Sequence, residues 1–361
     1  MLEINAEVWA NTSGGVQSGT VGLLQSKFGF ELDLDKTSGM QGWHYVMNWH
    51  AYYGNSPSIT LVGMDEASAL SSLEAVSNVV RFANIYLQRD FDDGRYQLRF
   101  GQISADDTFM VSEYGSTFIN SSFGALPASI WAMDTPIYPL WAPGIYGYAQ
   151  PADDLFMRLG IYTANAGQDV SSNWGFDWSI SANDGLGFFY EIGTEQSPWE
   201  LPGTYVLGVF ATTGDVTLFS NGAQDWGLAY PYLMINQALV TDHDGNTVLG
   251  GFFRLATTFQ PDRSVIDLDI DTGLAWYGPI PSRPHDVFGA GFVYTSYQND
   301  YLNWQRRAGN NVGQQQTIIE VTYQIAVTEW IYVQPDFQVV LDPHFSRHDA
   351  WVLGLRGSVS F

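Results

Sequence analysis

The fold of this chain is decided by its last 45 residues, Thr317–Phe361, which read TIIEVTYQIAVTEWIYVQPDFQVVLDPHFSRHDAWVLGLRGSVSF. In the final segment, apolar residues alternate with small or polar ones. One face carries Trp351, Leu353, Leu355, Val359 and Phe361, and the other carries Val352, Gly354, Arg356, Ser358 and Ser360. A period of two indicates a β-strand, because successive side chains of a strand point to opposite faces.

Two preceding segments, Ile319–Val327 and Ile331–Leu341, alternate in the same way. Their polar faces carry Glu320, Asp336 and Gln338 in mid-strand. Charged and amide side chains opposite a continuous apolar face suit a strand between lipid and a water-filled lumen better than a soluble sandwich. The sequence therefore predicts an all-β, transmembrane, antiparallel up-and-down barrel.

The composition agrees with a membrane barrel. Charged residues make up only 14% of the 361 residues, against about 25% in ordinary soluble domains, and aromatic residues reach 15%. No run of about 18 apolar residues is present, so no transmembrane helix is predicted. Without helices, only a closed barrel satisfies every backbone group in lipid. A net charge of −24 argues against nucleic acid as a partner.

We expect a single domain over residues 1–361 with about sixteen strands. The alternating segments are 2–10, 21–34, 43–53, 79–91, 95–103, a short one within 139–150, 155–162, 185–192, 204–212, 225–235, 248–259, 265–277, 287–297 and the three at the C-terminal end. Residues 104–143 lack sustained alternation, and a loop of this length is usually functional. We predict that it folds inward and narrows the pore.

Short turns alternate with longer loops, although the loop at Gln260–Arg263 is short for its predicted outer side. This order is typical of barrels in the Gram-negative outer membrane, with short turns on the periplasmic side. We expect contact with outer-membrane lipid and lipopolysaccharide, and we expect that a leader peptide, absent before Met1, has been removed. The sequence leaves open whether copies associate. No cofactor or metal is predicted; Asp242–Asn246 resembles a calcium loop but lacks its distal glutamate.

Several motifs resemble the carbohydrate-selective porin family of the OprB type. They are Arg99–Phe109, Thr117–Gly124, Phe253-Arg254, Gln260–Arg263, Gly273, Gly278, Arg283–Gly289, Glu320–Tyr323, Gln334–Gln338, Asp342-Pro343, Gly354–Arg356 and Phe361. The chain departs from the family at Asn84 and Gln88, where acidic residues are expected, and at His344, where a glycine is usual. The resemblance implies a passive outer-membrane channel that prefers sugars.

The twelve arginines are informative because an arginine on the lipid face at mid-membrane costs roughly 2–4 kcal/mol. We therefore predict that the four arginines in apolar strands face the lumen: Arg99, Arg158, Arg254 and Arg356. A guanidinium offers five donors, and carboxylates supply acceptors. We interpret these arginines, with Glu320, Asp336 and Gln338, as a constriction that hydrogen-bonds sugar hydroxyls. The alternative is that they only form salt bridges that stiffen the barrel.

The long loop adds candidate pore-narrowing residues: Asp106, Phe109, Glu113, Tyr114 and Asn120. The predicted function is passive diffusion of small neutral sugars. One alternative is a porin for anions or sugar acids, since lumenal arginines attract negative charge. Another is a structural or adhesive surface barrel. An enzyme is not predicted, because no serine motif accompanies the six histidines.

Overall fold

The chain forms one closed β-barrel of sixteen strands in a computed structural model, which describes residues 1–64, 66–75, 78–166, 173–176, 178–179, 184–346 and 348–361. Every strand pairs antiparallel with its neighbours in the chain, and β1 pairs with β16. The strands are β1 Leu2–Ser13, β2 Gly19–Asp33, β3 Trp43–Gly54, β4 Val79–Phe91, β5 Tyr96–Ile103, β6 Ala142–Ala152, β7 Leu155–Thr163, β8 Leu186–Gln196, β9 Gly203–Thr217, β10 Gln224–Thr241, β11 Thr247–Thr257, β12 Ile266–Tyr277, β13 Val287–Tyr297, β14 Gln315–Ala326, β15 Ile331–Leu341 and β16 Ala350–Ser360.

The predicted fold class and strand number are confirmed. The β4 and β13 bounds agree with the sequence prediction, and the short strand expected within residues 139–150 is β6. Several other strands are longer than their alternating segments. In β9 and β10, for example, the pairing continues to Thr217 and Thr241 because the backbone ladder extends past the last strictly alternating residues.

The two faces of the wall have different side chains. In β16, Trp351, Leu353 and Leu355 are about half exposed on the outer face, whereas Val352 and Ser358 are buried on the inner face. The same division holds in β2, where Leu24 and Phe28 point outward and Gln25 inward. Apolar side chains therefore form the outer surface, as expected for a wall that faces lipid.

Short connections gather at one end of the barrel, the turn end, and longer ones at the other, the loop end. Helix α1 (Leu34–Ser38) lies at the turn end, and α2 (Pro127–Ala132) and α3 (Asn299–Arg307) belong to loop-end connections. No helix in the described part of the chain is long and apolar enough to cross a membrane. Helix α3 was not predicted; it begins just after β13 and is amphipathic, burying Tyr301 and Leu302.

Two loop-end connections matter for the site: loop A, residues 55–78, and loop B, residues 104–141. Their apolar side chains pack against the inner wall. In loop B, Phe109 is fully buried, with its ring centroid 5.7 Å from that of Tyr146 and 5.4 Å from that of Phe189. The apolar core of this protein thus lies inside the barrel, between the loops and the wall.

We predict that Leu355→Arg destabilises the barrel by about 2–4 kcal/mol, because it places a charge on the outer face in the middle of β16. Equilibrium unfolding by urea in lipid vesicles measures this cost. Ile331→Arg is the matched control, since Ile331 also faces outward but begins β15 at the turn end, where we expect about 0–1 kcal/mol. Equal costs at the two positions would contradict this placement of the wall in the bilayer.

Candidate functional site

Loop B is held by side chains of the inner wall that bind its backbone. Glu320 accepts hydrogen bonds from the N–H groups of Ile119 (2.6 Å) and Asn120 (3.0 Å), and Gln338 accepts one from the Asn120 amide (2.9 Å). Further along the wall, three more such bonds follow: Glu191 accepts from Met110 N–H, Asp269 accepts from Ala128 N–H, and Gln334 donates to Thr117 C=O. These contacts fix the path of the loop across β8–β15.

Among these wall residues, Arg254 makes the most hydrogen bonds. Its guanidinium has no exposed surface; Nε pairs with Asp271 at 2.8 Å, and the Nη groups donate to the carbonyls of Met110, Ser122 and Gly124 at 2.5–2.7 Å. A buried charge is tolerated only when it is paired and hydrogen-bonded in this way. Arg254 therefore ties two separate turns of loop B to the wall.

Arg356 ties loop A to the wall in a similar way. Its Nε pairs with Glu7 at 2.5 Å, and an Nη group donates to the hydroxyls of Ser71 and Ser72 at 3.4 and 3.2 Å. Gln338 Nε2 donates to the Leu70 carbonyl at 2.9 Å. The two loops are thus held by neighbouring strands, β15 and β16.

Loop A is also closed on itself around the carboxylate of Glu74. This group accepts from the hydroxyls of Ser56 and Ser58 and from the N–H groups of Ser58 and Ser71. Burial of the carboxyl group raises the pKa of Glu74 to about 7, and the serine hydrogen bonds oppose the rise. In loop B, desolvation and the neighbouring Asp107 raise the pKa of Asp106 to about 6.

Inward-facing glycines in the wall make room for the aromatic side chains of loop B. The rings of Phe118 and Phe123 stack at 4.4 Å over Gly273, Gly289 and Gly291. A Cβ on Gly291 would lie 2.7 Å from ring atoms of both phenylalanines. The loop can therefore approach the wall closely only because these positions carry no side chain.

The residues predicted from sequence fall into two groups. Seven of the eleven are buried: Arg254, Arg356, Glu320, Asp336, Gln338, Phe109 and Asn120. All but Asp336 hold or pack the loops, and Asp336 accepts a hydrogen bond from Gln338 at 3.0 Å. Four keep exposed surface: Arg99, Arg158, Asp106 and Glu113. Tyr114 is buried and contacts Thr247 at the turn end. Burial of the first group removes their donors and acceptors from contact with a solute in this conformation.

Partly exposed inward side chains lie on the other side of the barrel, in β2–β7. Strand pairing places them on one inner surface: Lys27, His44, Tyr86, Gln88, Arg99, Tyr148 and Arg158. Loop B reaches this surface at Asp107, where Asn84 donates to the carboxylate at 2.7 Å. Asp107 is exposed, and Arg99 and Lys27 are the cations whose charges act on it. This part of the wall therefore borders the open lumen.

Arg99 is held in one orientation on this surface. Its guanidinium carbon lies 5.3 Å from the ring centroid of Tyr86 and 5.1 Å from that of Tyr146, and Nε donates to Gln88 at 2.9 Å. Aromatic rings on both sides and one hydrogen bond fix the plane of the group. Among the described residues, its two Nη groups have no hydrogen-bond partner. They are fixed donors that a solute can use.

Arg158 lies two strands away from Arg99 and is more constrained. Nη1 pairs with the buried Glu191 at 2.7 Å, and the guanidinium carbon lies 4.6 Å from the ring centroid of Phe156. About a quarter of the side chain is exposed. Since Glu191 also binds Met110 N–H and the Tyr232 hydroxyl, Arg158 connects the open surface to a loop anchor.

Sequence reasoning missed Lys27, Tyr86, Tyr146 and Asp107 as site residues. Gln88 was noted only as a departure from a family pattern. In the structure it accepts the hydrogen bond from Arg99 Nε. The alternation of β4 and β5 could have placed Tyr86 and Gln88 beside Arg99, but the path of loop B that brings Asp107 there has no sequence signal. No group of three or more His, Asp or Glu side chains within the described ranges could hold a metal ion.

Comparison with known proteins gives consistent matches. Residues 22–361 match the family model described as carbohydrate-selective porin, OprB family. The chain is similar to Porin B of Pseudomonas aeruginosa, with 25% identity covering 95% of this chain and 82% of that protein. Its structure is similar to the high-pH structure of Pseudomonas putida OprB, with a TM-score of 0.89, 20% identity, and coverage of 100% and 93%. The outer-membrane channel DcaP of Acinetobacter baumannii has the same fold at a TM-score of 0.57 and 8% identity, covering 100% and 96%.

We predict that Arg254→Met destabilises the protein by about 3–5 kcal/mol, because it leaves Asp271 and three loop carbonyls without their buried partner. Single-channel conductance should become larger and noisier as loop B loses this anchor. Arg95→Met is the control: Arg95 pairs with the exposed Asp153 at the turn end, and such pairs contribute at most about 1 kcal/mol. Equal stability and equal single-channel conductance of the two variants would contradict the anchoring role of Arg254.

We also predict that Gly291→Ala displaces the Phe118–Phe123 pair, at a cost of about 1–3 kcal/mol from overpacking. Gly357→Ala is the matched control, because a Cβ there meets nothing within 4 Å. Urea unfolding compares the free energies of unfolding of the two variants, and single-channel recording compares their conductance noise. If both alanines are equally well tolerated, the close seating of loop B on the glycines is refuted.

Proposed function

The chain belongs to the carbohydrate-selective porin family of the OprB type, and on that basis we propose how its lumen selects a solute. Members of this family are sugar porins of the Gram-negative outer membrane, and this chain is one of them. Both the family and the barrel fold are those of a channel rather than an enzyme. The remaining question is which of its residues meet the sugar.

We propose that small neutral sugars diffuse passively along the β2–β7 side of the lumen and contact Arg99. The observation that carries this proposal is the fixed guanidinium of Arg99, whose two Nη groups have no partner among the described residues and whose charge acts on the carboxylate of Asp107. A sugar hydroxyl both donates and accepts, so a planar donor beside an acceptor matches it. Because both groups are already in place, little ordering free energy is spent on each passing molecule.

Loop B narrows the pore in this proposal by covering the opposite side of the lumen. Its hydrogen bonds to β8, β12 and β14 support that role, since they hold the middle of the loop against that side of the barrel. The buried residues act as positioning residues for the loops, Asp336 through its hydrogen bond with Gln338. Arg158 and Asp106 border the same passage as Arg99, and Glu113 is exposed near the turn end, where it would meet the solute last.

The charge balance of the passage favours neutral solutes over anions. Arg158 is paired with Glu191, Lys27 with Glu3 at 3.3 Å, and Arg99 acts on Asp107. Paired cations attract a sugar acid much less than free ones. The reversal potential in a salt gradient tests this balance, and a strong anion preference would favour the sugar-acid alternative. Absence of any conductance would favour a structural or adhesive barrel.

The outer surface supports further proposals about partners. The exposed apolar side chains of the strands would contact outer-membrane lipid, and the loop end would lie at the level of lipopolysaccharide. Arg89 fits a position at the opposite interface: it faces outward near the turn end, with its charge over the rings of Trp43 and Phe91.

We predict that Arg99→Gln raises the half-saturating glucose concentration for uptake into vesicles about tenfold. This corresponds to the loss of roughly 1.4 kcal/mol from one hydrogen bond to a charged group. The measurement is the initial rate of liposome swelling or labelled glucose uptake as a function of glucose concentration.

Arg89→Gln is the matched control, because it removes the same charge from the neighbouring strand on the outer face. We expect it to leave glucose uptake unchanged. If Arg99→Gln also leaves both the glucose saturation and the ion selectivity of the channel unchanged, Arg99 is not the sugar contact.

A further inference from the structure

A row of polar side chains in mutual contact leads from Arg99 along the inner wall toward the turn end. Arg99 Nε donates to Gln88 Oε1 at 2.9 Å, and Gln88 Nε2 donates to the two oxygens of Asp90 at 3.1 and 3.0 Å. One oxygen of Asp90 lies 3.4 Å from His44 Nε2, and His44 Nδ1 lies 2.9 Å from Oε1 of Glu31. The row therefore crosses the wall from β5 over β4 and β3 to β2.

The last member of this row is the one most open to the lumen. The side chain of Glu31 is 60% exposed, whereas those of His44 and Asp90 are each 25% exposed. Among the described residues, Oε2 of Glu31 has no hydrogen-bond partner. Glu31 therefore ends the row with a carboxylate that is held through one oxygen and available to a solute through the other.

Asp90, in contrast, is nearly saturated. Besides the contacts with Gln88 and His44, its carboxylate accepts a hydrogen bond from Gln97 Nε2 at 2.9 Å. A carboxylate has about four lone-pair sites, so little acceptor capacity remains for a sugar. The role that fits Asp90 is to orient His44, which in turn orients Glu31.

Gln88 keeps the two ends of the row chemically distinct. Its amide oxygen accepts from Arg99 while its amide nitrogen donates to Asp90. A glutamate at this position would pair directly with Arg99 and repel Asp90, because an ionised carboxylate only accepts hydrogen bonds. With glutamine, the arginine keeps its charge at one end and the carboxylates keep theirs at the other.

The charge of Glu31 is not balanced by a lysine or an arginine. In the part of the chain that the structure describes, its one ionisable partner is His44. Lys27 lies on the same face of β2, but it pairs with Glu3 at 3.3 Å. The turn-end side of the passage therefore has a negative field, which attracts cationic groups and repels sugar acids.

Both ends of the row border one region of the lumen, around Tyr86. This tyrosine faces inward from β4 and is half-buried, and the guanidinium carbon of Arg99 lies 5.3 Å from its ring centroid. Four charged groups act electrostatically on its hydroxyl: Arg99, Asp107, Glu31 and Asp90. A solute beside Tyr86 thus has the fixed donor on one side and the acceptors on the other.

We propose that Glu31 is a second contact for the sugar, which accepts hydrogen bonds from the hydroxyls of a neutral or amino sugar as it moves from Arg99 toward the turn end. His44 and Asp90 are positioning residues for this carboxylate. The inference rests on the proposed passage along Arg99 and deepens it by naming a residue that determines specificity. Water competes at an exposed carboxylate, so the contact stays weak enough for the sugar to leave, as a channel requires.

The test compares two variants of Glu31 in the full-length protein, reconstituted in lipid vesicles and planar bilayers. Glu31→Gln keeps the length of the side chain and removes its charge. We expect the half-saturating glucose concentration for uptake to rise about three- to tenfold, because hydrogen bonds to charged acceptors are stronger than those to neutral ones. The reversal potential in a potassium chloride gradient should shift toward chloride.

Glu31→Asp makes the opposite change, since it keeps the charge but shortens the side chain by one methylene, so that it no longer reaches His44. We expect the half-saturating glucose concentration to rise about two- to fivefold, with the reversal potential unchanged. Glucosamine adds a readout of charge. Its uptake relative to glucose should fall several-fold in Glu31→Gln and stay at the wild-type ratio in Glu31→Asp.

Asp93→Asn is the matched control, because Asp93 is an exposed carboxylate in the turn after β4 and has no hydrogen-bond partner among the described residues. We expect it to leave glucose saturation unchanged. The proposal is overturned if both Glu31 variants saturate like the wild type, even where the reversal potential shifts, since the carboxylate then sets ion selectivity alone. In that case a weaker glucose response in Arg99→Gln still supports the proposed function, whereas a wild-type channel that passes no sugar refutes both.

Discussion

In the hydrocarbon of a membrane, an unpaired backbone N–H or C=O group costs several kcal/mol, and this cost governs the rest of the structure. The chain meets it by closure: β1 pairs with β16 over most of their length, from Glu3 opposite Ser360 to Ala10 opposite Leu353. A closed wall of sixteen strands has an interior too wide for its own side chains to fill. Loops A and B therefore supply the core that the wall cannot supply.

The same cost of unpaired polar groups explains the buried polar residues of the inner face. In a soluble barrel, a buried Arg254 or Glu320 would be a liability. Here each one satisfies backbone groups of a loop that enters the barrel, and the loop in turn satisfies the charge. The result is an asymmetric lumen. One side is packed and dry against loop B, and the other, near Arg99, keeps exposed polar and aromatic surface.

The sequence predicted the barrel well because strand alternation is a local signal. It also predicted that Arg99, Arg158, Arg254 and Arg356 face the lumen, since the cost of a charge in lipid depends only on the face, and all four lie on the inner side of the wall. It could not distinguish Arg99, whose Nη groups have no partner among the described residues, from Arg254, which is fully buried and bonded to Asp271 and loop B. That difference depends on the path of loop B, which is set by contacts between residues 81 and 201 positions apart in the chain.

The anchoring of loop B has a consequence for how this channel can change. Many of the bonds between wall and loop use backbone N–H and C=O groups, which every residue except proline carries alike. Ile119, Asn120, Met110 and Ala128 donate, and Met110, Ser122 and Gly124 accept. Exposed side chains of the loop, such as Val111 and Glu113, take no part in these bonds. They can be exchanged while the loop keeps its course. Point mutations of these side chains can therefore change the solute preference of the channel without changing the barrel or the path of loop B.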